Sequence, residues 1–183
     1  MRIYIFRQAF ILANVACGDR ASVCFNREGN MTMFENWKYN NWKSKQVDRS
    51  DIEAYISYEI YPEDIEIFSK ILYPDFMQHK NCIIRLPSDC TEQELDEIKI
   101  LFESWENEKL SFEEIEKIMN YALVADIFFN TSMTSSFSTL ESVATLIKFN
   151  WEIWLHKKFP DRKFNVVLLN DDGQLALTFF QQR

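Results

Sequence analysis

Hydrophobic positions along the chain change period three times. The first third alternates or clusters in short runs. "RIYIF", "FILANVA" and "SVCFN" are apolar or β-branched stretches separated by polar breaks, the pattern of strands. "FNREGNMTMF" sets two β-prone runs around Arg27-Glu28-Gly29-Asn30, and Gly29 is free to take a positive φ, so a hairpin is expected. A small antiparallel sheet over residues 2–35 follows from this pattern. "WKYNNWKSKQVDRS" comes next, shows neither period, and reads as a loop.

The middle of the chain has helical spacing. Ser50 is placed to cap a helix carrying Ile52, Tyr55, Ile56 and Ile60. Pro62 suits the first turn of a second helix, "PEDIEIFSKIL", which Pro74 stops. "NCIIRLP" is a short strand. Thr91 and Glu94 have capping-box spacing ahead of Leu95, Ile98, Leu101, Phe102 and Trp105. Ser111 and Glu114 repeat the box ahead of Ile115, Ile118, Met119 and Ala122, which gives two amphipathic helices joined near Asn107. "NTSMTSSFSTL" is polar. Ser138 and Glu141 open a long helix through Leu140, Val143, Ala144, Ile147, Trp151, Trp154 and Leu155, ending near Phe159-Pro160. Two apolar runs around "NDDG" close the chain as a hairpin. Strands, then helices, then strands define an α+β class. The expected fold is a single globular domain over residues 1–183. Its small antiparallel sheet combines the N-terminal strands with the C-terminal hairpin, against about five central helices.

Composition supports an ordered globule. Of 183 residues, 47% are hydrophobic and 16 are Phe, against seven Gly and Pro together. A chain of this length buries enough surface to need neither metal nor disulfide. The start, "MRIYIFRQAFILANVACG", has a faint signal-peptide look. Arg7 and Gln8 split its apolar run, so a buried strand is the better reading. No stretch approaches the length of a membrane span. The four cysteines, Cys17, Cys24, Cys82 and Cys90, form no CxxC pair and read as reduced thiols.

Charge then narrows the function. The chain carries 28 acids against 20 bases, net -8, which disfavours phosphate backbones and anionic membranes as partners. "WKYNNWKSK" is a local exception, with three aromatics and three lysines that could stack on bases and pair with phosphates. A small basic patch on so acidic a body competes poorly for nucleic acid, and lysine stems commonly lie over tryptophan rings. Acids concentrate instead in two stretches, Asp51 to Glu66 and Asp89 to Glu116. Glu92, Asp96, Glu103 and Glu106 share the helix face opposite Leu95, Ile98 and Trp105. Such a face is either solvated or a dock for a basic protein.

Catalytic chemistry is poorly supplied. There are two histidines, His79 and His156, and no GxSxG, P-loop or GxGxxG motif. His79, Cys82 and Cys90 match no familiar zinc spacing. Asp171-Asp172 precedes Gly173, which makes turn chemistry the simpler reading. The expectation is a cytoplasmic protein-binding module without cofactor, metal or catalytic residue. Its most concrete form is an immunity-type inhibitor that covers the active site of a basic bacterial toxin, such as a nuclease. The binding residues would be Glu92, Asp96, Glu103 and Glu106, with Trp37, Tyr39 and Trp42 as a second patch. A small-molecule enzyme or binding domain with a pocket between sheet and helices is the first rival. A structural or regulatory subunit, marked by an apolar interface between identical chains, is the second.

Overall fold

In the computed structural model, the described residues are 36–48, 50–171 and 173–183. The expected N-terminal strands, the Arg27–Asn30 hairpin, Cys17 and Cys24 lie outside them. Chain contacts divide after Pro62 into two compact units. Each is described by itself. Among the described residues, seven α-helices and two small antiparallel sheets form an α+β fold.

The first unit contains helices α1 (Trp37–Lys43) and α2 (Ile52–Glu59). The first half of the segment expected as a loop, Trp37–Lys43, is therefore a helix. Its start is fixed by Asn36, whose side chain accepts the Tyr39 backbone N–H at 3.1 Å. Tyr39 and Trp42 lie three residues apart on one face. Both rings pack on Tyr55 of α2, with centroids at 5.6 and 5.4 Å. Aromatic packing supplies what the sequence period lacked. The cap of α2 is Asp51 rather than Ser50, through a 2.8 Å bond from the Ala54 N–H. Ser50 instead accepts from the Tyr39 hydroxyl with its carbonyl.

The second unit, from Glu63 on, holds all but the first residue of α3 (Pro62–Leu72), then β1 (Phe76–His79), β2 (Cys82–Arg85), α4 (Glu92–Asn107), α5 (Phe112–Met119), β3 (Ala122–Leu123), α6 (Val124–Ile127), α7 (Phe137–Lys158), β4 (Phe164–Asp171) and β5 (Gln174–Gln181). Both expected capping boxes form: Thr91 with Glu94 and Ser111 with Glu114. Hydrogen bonds from the Ser111 hydroxyl and N–H hold the Glu114 carboxyl below the usual carboxylate range. Helix α7 starts two residues earlier than the sequence spacing suggests. Ser136, not Ser138, accepts the Thr139 N–H.

The strands form a two-stranded sheet, β1-β2, and a three-stranded sheet ordered β3-β5-β4. The expected C-terminal hairpin pairs Asp171 with Gln174. Gly173 has φ +80°, and the Asn170 side chain accepts its N–H at 3.1 Å. That left-handed position is why the turn wants glycine. The β1-β2 hairpin turns at Lys80-Asn81, with Lys80 at φ +50°.

Strand β2 is buried on both faces because it stands between two cores. Ile83 joins Trp151, Ile147, Leu155, Leu177 and Phe179, where α7 lies against the three-stranded sheet. Cys82 and Ile84 join Phe102 and Ile115 under α4 and α5. The period-2 alternation of "CIIR" thus divides its side chains between two apolar environments.

Candidate functional site

The two sheets are joined by side chains of α5 and its C-cap residue rather than by a continuous strand ladder. Glu116 and Asn120 are four residues apart, on one face of the helix end, and both are fully buried. Asn120 donates to the carbonyls of Ile83 in β2 and Phe179 in β5, at 2.9 and 3.1 Å. Its own oxygen accepts the Arg85 N–H at 2.8 Å. Glu116 accepts the Ile83 N–H at 2.9 Å through one oxygen and the Gln181 N–H at 2.8 Å through the other. It also accepts from the Gln181 amide and, at 3.0 Å, from the Arg183 guanidinium. Every one of these backbone groups would otherwise be an unpaired polar atom in the interior. Glu116 is therefore a structural acid. It drops out of the surface charge that sequence counting assigned to the Asp89–Glu116 stretch.

This cluster contains Cys82, and its chemistry decides against a nucleophile. Burial first, and the Glu116 charge second, push the thiol up to about 11, although Arg183 pulls the other way. A nucleophilic cysteine needs the opposite shift. Cys82 and His79 are cross-strand partners. Their polar atoms nonetheless make no dyad. The thiol is 3.7 Å from the Phe112 carbonyl, and the His79 ring stands edge-on to Phe102 at 4.8 Å with Nε2 enclosed and unpartnered. We expect iodoacetamide at pH 7 to modify the partly exposed Cys90 and to spare Cys82 until the protein unfolds, as read by peptide mass mapping. Equal native-state rates at the two sites would contradict this burial. The sign of the linkage is also fixed. A thiol whose folded value is raised stays protonated in the folded state after the unfolded chain has ionised. It therefore removes stability as pH rises from about 9 through about 11.

No group of three or more His, Cys, Asp and Glu able to hold a metal occurs among the described residues. His156 sits exposed in the last turn of α7 beside Lys157 and Lys158, at the end of the helix dipole that favours cations. Arg85 lies 5.5 Å from the Trp151 ring centroid, its Nε enclosed without a hydrogen-bond partner, and burial lowers its pKa. Asp172, of the Asp171-Asp172 pair, lies outside the described residues.

The candidate binding residues fall into two sets. In the first unit, Tyr39 is buried and Trp42 half-buried in their packing with Tyr55, and Lys43 lies over the Tyr39 ring at 5.6 Å. Trp37, 54% exposed, is the aromatic of this strip that faces outward. The stacking surface that the sequence offered is thus mostly consumed internally.

In the second unit, α4 carries the acids. Phe102 is fully buried, and Ile98 and Trp105 pack with it against the smaller core. This seats the stripe inward and turns Glu92, Asp96 and Glu103 to the exposed side. Two of the four acids have cations nearby. Glu106 is paired with Lys80 of the β1-β2 turn, and Asp96 with Lys99 at 2.7 Å. Glu92 and Glu103 pair with no cation among the described residues. They are about 16 Å apart along the helix. Between them, on the same side, Ile100 is 67% exposed. Sequence reasoning missed Ile100 because it falls off the inner stripe. Its signal was an isoleucine at the spacing of Glu92, Asp96 and Glu103.

Comparison with family models, curated proteins and solved structures returns no match. No helix among the described residues is long and apolar enough to cross a membrane.

Proposed function

We propose that this protein acts by binding a basic protein through the outer face of α4. The observation that carries the reading is the exposed Ile100 set among Glu92, Asp96 and Glu103. An apolar centre within a charged rim is the anatomy of a protein interface. The carboxylates would steer a cationic partner, and burial of Ile100 would slow its release. The raised thiol of Cys82 and the structural use of Glu116 also favour binding over catalysis at the densest polar cluster. The most concrete version remains an immunity-type inhibitor acting in the cytoplasm, which occludes the active site of a basic bacterial toxin such as a nuclease. Such an inhibitor needs no cofactor and no catalytic residue.

Charge reversal at Glu92 and Glu103 should reduce the association rate by about 10-fold or more at low salt and flatten its salt dependence. Ile100→Ala should act mainly on dissociation. Stopped-flow or surface-based kinetics with the captured partner separates the two effects. Unchanged kinetics in the double reversal would remove α4 from the interface.

A further inference from the structure

Strand β2 ends in Arg85, whose side chain enters the rim of the larger core. Arg85 and Ile83 are two residues apart and share a face of the strand. Phe76, directly opposite Arg85 in the register, packs against the same core as Ile83. The guanidinium lies over the Trp151 ring, 5.5 Å from its centroid. Its base is fixed. The Arg85 N–H donates to the Asn120 side chain at 2.8 Å, and the N–H of the next residue, Leu86, donates to the Asp75 carbonyl at 2.8 Å.

No counter-charge meets this cation. Arg183 has Glu116, and Lys80, Lys99, Lys117 and Lys148 each have a carboxylate, but no acid among the described residues pairs with Arg85. Glu116, the wholly buried acid bonded to the same strand, is committed to Arg183 and to the N–H groups of Ile83 and Gln181. An unpaired guanidinium in apolar surroundings is among the costliest groups a fold can hold. The Trp151 ring offers it a π face but no acceptor for its N–H groups.

The nitrogens of the guanidinium are unequally placed. Nε is enclosed and has no partner. The two terminal nitrogens also make no hydrogen bond among the described residues, yet they are not enclosed, and Arg85 as a whole is half-buried. The fork of the side chain therefore reaches solvent, while its stem and Nε are held inside. A planar pair of N–H groups on a rigid base is the geometry that takes two oxygens of a carboxylate or a phosphate.

We infer that Arg85 is an oxyanion-binding residue, and that its outward fork takes a carboxylate or phosphate group at the rim of the larger core, backed by Trp151. The ligand supplies the charge and the acceptors that the described chain does not. The site shares no residue with the outer face of α4, so it stands or falls apart from the proposed protein contact.

Thermal unfolding of the full chain in sodium phosphate, sodium acetate and sodium chloride at matched ionic strength is the test, run beside Arg85→Met. Methionine keeps an unbranched apolar stem and removes the charge. Phosphate also stabilises proteins generally by exclusion from their surface, so the quantity that counts is the rise in Tm of the wild type in excess of the variant. At ten times its Kd, a ligand of the native state multiplies the folding constant about 11-fold, which raises the Tm of a chain of this size by about 3 °C or more. Phosphate or acetate should give the wild type that excess over chloride, and Arg85→Met should abolish it. A response confined to acetate assigns a carboxylate ligand, and one confined to phosphate assigns a phosphate. The Nε–Hε resonance of Arg85 in the wild type is a second readout that needs no variant, and it should move in the same titrations. Equal responses of wild type and Arg85→Met, or an Nε–Hε resonance unmoved by either anion, would overturn the inference.

Discussion

Glu116→Ala is expected to cost about 3–5 kcal/mol of folding stability, the range for removing one partner from a buried, hydrogen-bonded charge pair. The side chain is wholly enclosed. Its loss strands two buried backbone donors, the Ile83 and Gln181 N–H groups, and takes an acceptor from the Gln181 amide and the Arg183 guanidinium, which keep only the Asn81 carbonyl as a close oxygen acceptor. No strand is available to take over the two backbone groups, because α5 occupies the place where a continuous ladder would run. Glu116→Gln preserves the shape but turns an NH₂ toward groups that also donate, so it should cost about 1–3 kcal/mol. Asn120→Ala should cost a similar ~1–3 kcal/mol, since it strands the Ile83 and Phe179 carbonyls and the Arg85 N–H. The two sites share Ile83, so the double variant should deviate from additivity. Urea unfolding at constant m checks all of these. A Glu116→Ala variant within about 0.5 kcal/mol of the wild type, the size of an ordinary surface substitution, would refute the bridging role.

Phe102→Ala is expected to cost about 3–5 kcal/mol as well, by a different mechanism. Phe102 is fully buried at the centre of the smaller core, with Phe112 at 6.3 Å and His79 at 4.8 Å between centroids. The Lys80 ammonium lies 5.6 Å from its ring and pairs with Glu106. Removing the ring leaves a cavity beside two already unpartnered polar atoms, His79 Nε2 and Trp105 Nε1. It also unseats the residue that orients α4. Phe102→Leu, which keeps most of the volume, should lose clearly less. If the two variants melt alike in urea, cavity formation is not what Phe102 prevents.

The elements legible in the sequence were those whose signal is local. Both capping boxes formed because Thr91–Glu94 and Ser111–Glu114 satisfy their own backbone groups regardless of tertiary context. The "NDDG" hairpin formed because Gly173 supplies the positive φ that the turn requires. The elements missed were decided elsewhere. Helix α1 lacks a helical period and depends on Tyr39 and Trp42 meeting Tyr55, a residue of another helix. Strand β1 is four residues long and enters a turn at Lys80 without a glycine to announce it. In the run "NTSMTSSFSTL" any of several hydroxyls could cap a helix, and only packing selects Ser136.

The candidate site was legible in the same partial way. The inward stripe of α4 put Glu92, Asp96 and Glu103 outside, as expected. The sequence could not show that Lys80, from a turn more than twenty residues away, pairs with Glu106. Nor could it separate Glu116 from the neighbouring acids, because burial of a carboxylate depends on donors from Ile83 and Gln181, distant along the chain. The exposed residues Ile100, Leu146, Phe149 and Ile153 were hidden for the opposite reason. An apolar residue in an apolar helix reads as core until the other face is seen to be buried.

The most direct test of the binding account is affinity capture of the tagged protein from the cells that make it, at low and moderate salt, beside a Glu92→Lys/Ile100→Glu/Glu103→Lys variant of equal folded fraction. The account predicts that the wild type retains a basic protein in stoichiometric amount, more at low salt, and that the variant loses it. Retention of the same partner by both forms, or of none by either, would contradict the claim that the outer face of α4 is this protein's working surface.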